Sequence, residues 1–241
     1  MKKIFDNPPS LKLRKDYFSQ KVKNKKIAII DYGVGNLYSL KKALDNFDSN
    51  VFITEDPEKI YSADAIILPG VGSFKAGMEG LKIRNLIKPV KKFALTGKPM
   101  LGICLGAQLM LDKGYEFGTF DGLGIIPGKV VKFPKLKKER IPHIGWNEIY
   151  NKLKVGNKKL KAGEWKGTIL DSVKVNSDVY FVHSYILRPD DRKNILALAN
   201  FDNYEFCSAI RRSNVYGCQF HPEKSGKVGL KIIENFVNLV K

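Results

Sequence analysis

Apolar residues along the chain fall into short runs that alternate with helical stripes. Lys26-Ile27-Ala28-Ile29-Ile30-Asp31 has the pattern of a strand buried on both faces. A glycine loop, Tyr32-Gly33-Val34-Gly35-Asn36, separates it from Leu37, Leu40, Leu44 and Phe47, whose spacing predicts a helix. The alternation then repeats. Val51 to Thr54 and Ala65-Ile66-Ile67-Leu68 read as strands, the second closed by Pro69-Gly70-Val71-Gly72. Residues 74–94 read as mostly helical, broken near Pro89. Pro99 to Ile103 is the next strand, and Leu105 to Leu111 the helix after it. Strand and helix in turn imply a parallel sheet covered on both faces.

The second half changes character. Lys129 to Phe133, Val179 to Val182, Leu196 to Asn200, Cys207 to Arg211 and Val215 to Phe220 read as strands with little helix between them. They predict a mixed or antiparallel extension of the sheet. Val228 to Val240 closes the chain as an amphipathic helix, with Leu230, Ile233, Phe236, Val237 and Val240 on one side. Residues 1–24 are polar, carry Pro8-Pro9 and show weak periodicity, which marks an N-terminal extension ahead of one domain over 25–241.

At 241 residues and 44% hydrophobic content, the chain can build one α/β core without metal or disulfide staples. No apolar run approaches the roughly 20 residues of a membrane helix, and no long apolar stretch follows the basic N-terminus as a secretory signal requires. Three scattered cysteines, Cys104, Cys207 and Cys218, fit a reducing cytoplasm better than a disulfide framework. The formal charge of +18 invites a nucleic-acid reading. No basic-aromatic motif or zinc-finger spacing accompanies it, so a lysine-rich solvated surface, or a basic face for an acidic partner, is the better account.

The chemistry concentrates at two places. Gly102-Ile103-Cys104-Leu105-Gly106 puts a cysteine on a strand-to-helix turn, flanked by glycines that permit a tight elbow. A helix opening at Leu105 aims free N–H groups at the sulfur and at any oxyanion beside it. An ordinary buried cysteine is the bland alternative. His221-Pro222-Glu223 changes that balance. A histidine at a strand end, with a carboxylate two residues on, supplies a base and the group that orients it. The backbone of Gly70-Val71-Gly72 is a candidate oxyanion donor, or a plain strand-to-helix turn. His143 and His183 read as structural histidines. The histidines and cysteines fall into no short metal-ligand spacing. Gly33-Val34-Gly35 is a poor dinucleotide fingerprint, since Tyr38 stands where its third glycine belongs.

Taken in order, these motifs resemble the triad glutamine amidotransferases. More narrowly, they are similar to the glutaminase subunits of imidazole glycerol phosphate synthase. The narrower likeness rests on Asp31-Tyr32-Gly33-Val34-Gly35-Asn36-Leu37, Pro69-Gly70-Val71-Gly72, Pro142-His143-Ile144-Gly145-Trp146-Asn147, Tyr180-Phe181-Val182-His183-Ser184-Tyr185 and Gln219-Phe220-His221-Pro222-Glu223-Lys224-Ser225. It implies a flavodoxin-like class I glutamine amidotransferase fold. It also implies a glutaminase in which Cys104 attacks the side-chain amide of L-glutamine, His221 moves protons and Glu223 orients His221. Gly70, Val71, Gly72 and Leu105 would hold the oxyanion. Gln108, Ser184 and Tyr185 would bind the substrate, and no cofactor or metal is needed.

The resemblance further implies a heterodimer with a (β/α)₈-barrel cyclase that receives ammonia. Asn36, Trp146 and Lys224 would face that partner, which would switch the glutaminase on. Two other readings stand beside this one: a paralogous glutaminase feeding amidino-sugar synthesis for surface polysaccharide, and a non-catalytic module on the same scaffold. Ala107, the lysine-rich stretch 151–178 and the N-terminal extension depart from the family pattern without touching the triad.

Overall fold

The computed structural model describes residues 25–135, 140–155, 158–161 and 165–241, with the side chains of 152–155 and 158–161 left aside. The N-terminal extension lies outside the described residues, as do parts of the lysine-rich stretch. The elements are β1 (Lys26–Ile30), α1 (Leu37–Leu44), β2 (Asn50–Thr54), α2 (Pro57–Ser62), β3 (Ala65–Leu68), α3 (Phe74–Ile83), α4 (Ile87–Ala94), β4 (Met100–Ile103) and α5 (Leu105–Leu109). There follow β5 (Lys113–Gly114), β6 (Phe120–Asp121), β7 (Gly128–Lys132), β8 (His143–Ile149), β9 (Lys152–Val155), β10 (Lys158–Lys161), β11 (Ser177–His183), β12 (Tyr185–Pro189), β13 (Ile195–Phe201), β14 (Tyr204–Arg212), β15 (Val215–Cys218) and α6 (Gly226–Leu239).

The main sheet runs β2-β1-β3-β4-β15-β14-β12-β7-β5-β6, with β13 paired to β14. Its first five strands are mutually parallel. From β14 onward the pairing turns mostly antiparallel, as the change of pattern in the second half predicts. Successive side chains of a strand point to opposite faces, and both faces here are covered. Ile27 and Ile29 pack with Leu40, Leu44 and Phe236 from α1 and α6. Ala28 and Ile30 pack with Ile60, Phe74, Leu81 and Phe93 from the helices on the other side. This explains why the parallel strands read as unbroken apolar runs.

Several boundaries differ from expectation. The long helix over 74–94 breaks at Arg84-Asn85-Leu86, where Asn85 adopts φ 58°, and not at Pro89. Pro89 falls in the first turn of α4, where its missing N–H costs no helical bond. The helix after Cys104 ends at Leu109 rather than Leu111, and Phe47 lies beyond α1. Leu230, placed on the apolar side of the last helix by its spacing, is 39% exposed. Strands β8 and β12 and helix α2 were not anticipated. β8 and β11 form a separate two-stranded ribbon, tied to β13 through a bridge between Tyr150 and Leu198. Among the described residues no helix is long and apolar enough to cross a membrane.

Parallel strands place their carboxyl ends along one edge, and ligands of such sheets collect there, where the strand order reverses. β1 sends the chain outward to β2 and then back across to β3, so the reversal lies between β1 and β3. The Tyr32 hydroxyl, after β1, crosses this point to donate to Pro69 O, after β3. α5 packs so closely on β3 that a Cβ at Gly106 would stand 1.7 Å from Leu68 O. Backbone cannot yield to that extent. Gly106→Ala should therefore destabilise the fold by about 3 kcal/mol or more, read as a fall in the urea midpoint. A midpoint equal to the parent's would show that the helix can pull away from β3.

Candidate active site

Cys104 sits between β4 and α5 with φ 51° and ψ −108°, a conformation that a residue carrying a Cβ rarely adopts. Its N–H donates to Cys218 O at 2.7 Å, which locks the elbow to β15. Only 7% of the residue is exposed, and its thiol opens into a cavity of about 280 Å³. Val71, Gly72, Leu105, Gln108, Glu116 and Tyr185 are among the residues that line it, with Ser184 alongside.

His221 follows β15, the neighbour of β4, so strand pairing carries it to the thiol. Tyr180 O accepts its N–H at 2.9 Å, and the Ser225 hydroxyl donates to its carbonyl at 2.6 Å. The Glu223 carboxylate meets Nδ1 at 2.8 Å. Burial pushes the imidazole down, but hydrogen bonding and charge from Cys104 and Glu223 outweigh it and lift His221 to about 9. Nε2 is buried and has no hydrogen-bond partner. The Tyr32 phenol is pushed up by burial and then by the charge at Cys104, which places it next to the same sulfur.

A second recess of about 20 Å³ adjoins the first, lined by Pro69, Gly70, Val71, Ile103, His221 and Glu223 among others. Val71 borders both. Asn36 and Lys224 line the outer end of this recess. The Asn36 side chain also caps α1, accepting from Ser39 N–H at 3.1 Å. Lys224 Nζ stands 6.0 Å from the centre of the Tyr180 ring, and Trp146 meets that ring edge-on. Ile144 and Trp146, two residues apart on one face of β8, are 60% and 57% exposed.

The candidate oxyanion donors are close together but occupied. Leu105 N–H points at Gly70 O at 3.4 Å, so an oxygen of the chain itself fills the place beside the sulfur. Gln108 donates to the Tyr185 carbonyl at 3.2 Å and to Gln219 Oε1 at 3.1 Å.

His183 also borders the pocket, yet both its nitrogens are engaged: Nδ1 with Tyr185 O at 2.9 Å and Nε2 with His143 Nδ1 at 3.1 Å. Burial lowers His183 to about 3 and His143 to about 4. His143 lies stacked between Phe181 and Phe201. These are structural histidines, and His221 alone offers a free nitrogen to the thiol.

Three residues of the site escaped the sequence reading of individual positions. Gln219 is completely buried, and a polar residue set within the apolar run 215–220 was the available signal. Glu116 accepts from Phe74 N–H at 2.6 Å and lines the pocket from a loop, with no local motif to mark it. Tyr32 sits under Gly70, where a Cβ would stand 2.2 Å from its hydroxyl.

A thiol on a strand-to-helix elbow, facing an imidazole held by a carboxylate, is the arrangement of an enzyme that uses a cysteine nucleophile on an α/β sheet. Comparison with known proteins gives the same class and narrows it. The family model for class-I glutamine amidotransferases matches residues 28–239. Imidazole glycerol phosphate synthase subunit HisH 1 of Legionella pneumophila (strain Lens) is 48% identical over 217 residues, covering 88% of this chain and 99% of the relative. Subunit HisH 2 of Methanococcus maripaludis is 46% identical over 212 residues, covering 88% and 98%. The structure of PurLQS from Thermotoga maritima superposes with a TM-score of 0.64 at 18% identity, covering 90% of this chain and 100% of that one, a likeness of fold alone. The chain belongs to the class-I glutamine amidotransferases and, within them, to the HisH family.

The two low-titrating histidines carry a consequence for stability. Each takes up its proton near pH 6.5 when unfolded and only near 4 or 3 when folded. The unfolded chain therefore binds more protons below that value, and stability falls as pH drops. The urea midpoint should decline from about pH 6.5 toward about pH 4, and less steeply in His143→Phe. A flat profile in the parent would mean that both imidazoles ionise within the folded protein.

Proposed function

We propose that this chain is the glutaminase subunit of an imidazole glycerol phosphate synthase, releasing ammonia from L-glutamine for a partner cyclase. One observation carries the proposal: Cys104 lines the pocket, and His221, its Nδ1 held by Glu223 at 2.8 Å and its Nε2 buried without a hydrogen-bond partner, borders the adjoining recess that shares Val71 with the pocket. Identity to HisH relatives over nearly their whole length supports the pathway.

The chemistry follows from the groups in place. Cys104 Sγ, as a thiolate beside the protonated imidazole, attacks the side-chain carbonyl carbon of glutamine. The carbonyl becomes an oxyanion, and His221 Nε2 gives its proton to the departing ammonia. The γ-glutamyl thioester remains on Cys104. A water loses a proton to the now neutral His221 and attacks the thioester; the sulfur leaves as thiolate, the new carboxyl gives up its remaining proton to solvent, and glutamate departs with the thiolate–imidazolium pair restored. Glu223 holds Nδ1–H throughout and keeps Nε2 aimed at the sulfur. Gln108, Ser184 and Tyr185 hold the amino-acid end. Glu116 offers its carboxylate to the substrate ammonium from across the pocket.

In this state the oxyanion would have too few donors, because Leu105 N–H already faces Gly70 O. Rotation of the Gly70–Val71 peptide would replace that oxygen with an N–H and complete the hole. Ammonia would leave through the recess lined by Gly70, His221 and Lys224, away from bulk water that would convert it to ammonium. The exposed Ile144, Trp146, Asn36 and Lys224 surround that exit and supply the docking face for a (β/α)₈-barrel cyclase. Nothing in the comparisons favours the amidino-sugar reading, and an intact triad speaks against a non-catalytic module.

The test is glutamate release by the purified chain, alone and with the histidine-pathway cyclase and its nucleotide ligand. We expect a rate near background alone and strong stimulation by the loaded partner. Cys104→Ser should then lose at least about a thousandfold. Full turnover by the chain alone would refute the peptide-rotation switch. Silence with the loaded cyclase, from a correctly folded chain, would refute the pathway.

A further inference from the structure

Behind the nucleophile runs a line of neutral polar groups that ends at Gln219, a residue the steps above do not use. Gln219 is fully buried at the end of β15. Its Nε2 lies 3.7 Å from Cys104 Sγ, and its backbone N–H donates to Ser208 O at 2.9 Å. Gln108 Nε2 donates to Gln219 Oε1 and to the carbonyl of Tyr185, which also receives His183 Nδ1.

The polarity of this line is fixed from its far end. A backbone carbonyl has no proton to give, so the atom of Gln108 that faces Tyr185 must be the amide nitrogen. That nitrogen faces Gln219 as well, so Gln219 must present its oxygen to it. Only the NH₂ of Gln219 is then left for the sulfur. The sulfur has one contact of the opposite sense: Val182 O stands 3.9 Å away and can only accept. The thiol form can satisfy Val182 with its S–H. The thiolate form can satisfy Gln219.

We propose that Gln219 is a dedicated hydrogen-bond donor to the Cys104 thiolate, and that Gln108 and the Tyr185 carbonyl lock its amide in that sense. The inference deepens the glutaminase reading and rests on Cys104 being its nucleophile. The titratable groups facing the sulfur from the surrounding elements are His221 and Glu223 after β15, Tyr32 after β1, His183 on β11, and Glu116 and Tyr185 across the pocket. His221 alone among them brings a positive charge. Burial keeps Tyr32 a phenol and His183 a neutral imidazole at neutral pH. Gln219 therefore adds a neutral side-chain donor beside the one cation, with Leu105 N–H turned to Gly70 O.

Alkylation of Cys104 by iodoacetamide, followed by mass spectrometry on the full chain across pH, reads this directly. Only the thiolate reacts. Cys207 and Cys218 are buried with thiols pushed up by that burial, so they stay silent at neutral pH, and Cys104→Ala supplies the background. Gln219→Leu should slow alkylation at neutral pH by about tenfold, equivalent to one pH unit, while the rate at the alkaline limit stays at the parent's value. Gln219→Glu should slow it further. Gln108→Leu, which frees the Gln219 amide to turn over, should slow it by about threefold and serves if Gln219→Leu does not fold. A neutral-pH rate equal to the parent's in the folded variants would overturn the proposal. So would an equal fall at every pH, which would mark a packing role only. Glutamate release by Cys104→Ala with the loaded partner would instead remove the nucleophile assignment and leave the alkylation result standing.

Discussion

Cys104 is held at a positive φ, which costs a residue with a Cβ on the order of 1–3 kcal/mol unless the surroundings enforce it. Here they do so from three sides. The N–H is bound to Cys218 O on β15, the preceding strand is paired on both edges, and α5 is pinned against Leu68 through Gly106. A relaxed backbone at this position would turn the sulfur away from the pocket. It would also displace the first turn of α5, and with it the Leu105 N–H and Gln108. The elbow therefore sets the direction of the Cys104 thiol, the Leu105 N–H and the polar line behind the thiol. The bond to Cys218 links all three to the strand that ends at His221.

The second organising feature is that the site has two sides that share a wall. The pocket in front of the thiol and the smaller recess beside His221 touch at Val71, on the loop after β3. The imidazole and Glu223 belong to the recess side, and Gln108, Ser184 and Tyr185 belong to the pocket side. A rearrangement of the Gly70-Val71-Gly72 loop would alter both at once. Tyr32 packs beneath this loop, and its hydroxyl already holds Pro69 O, so the front of the loop has an anchor while Gly72, with φ 104° and open space around it, does not.

The parallel half of the sheet was legible because burial on both faces leaves short apolar runs, and those runs fell where the strands are. The triad was legible for a related reason. Its members lie directly after such runs, at the strand ends where loops carry chemistry. The ribbon β8–β11 was only half legible. Its outward residues Ile144 and Trp146 are apolar although exposed, and this blurred the alternation that marks a strand with one wet face. Helix α2 carried an Asp56 N-cap and Pro57 at its first position, but six residues give too little periodicity to register. Proline drew attention to the wrong place in 74–94, since it is tolerated in a first turn and the chain instead reverses at Asn85. Glu116 could not be found at all, because its place beside the pocket comes from the packing of a loop on the N-terminus of α3.

Electrostatics at the thiol follow from how few charges are admitted there. The chain carries a formal charge of +18, yet only one cation, the imidazolium, reaches the sulfur among the described residues. A lysine or arginine in that place would hold the thiolate well but would also compete for the oxyanion and for Glu223. It would keep its proton through every step. An imidazole can deliver its proton to ammonia and take another from water, but it stops supporting the sulfur when it has done so. An amide donor such as Gln219 fills that gap, because its N–H stays in place whichever way the proton has moved. Neutral His143 and His183 complete the arrangement by holding the Tyr185 carbonyl, and thus the amide line, without adding a second charge to the site.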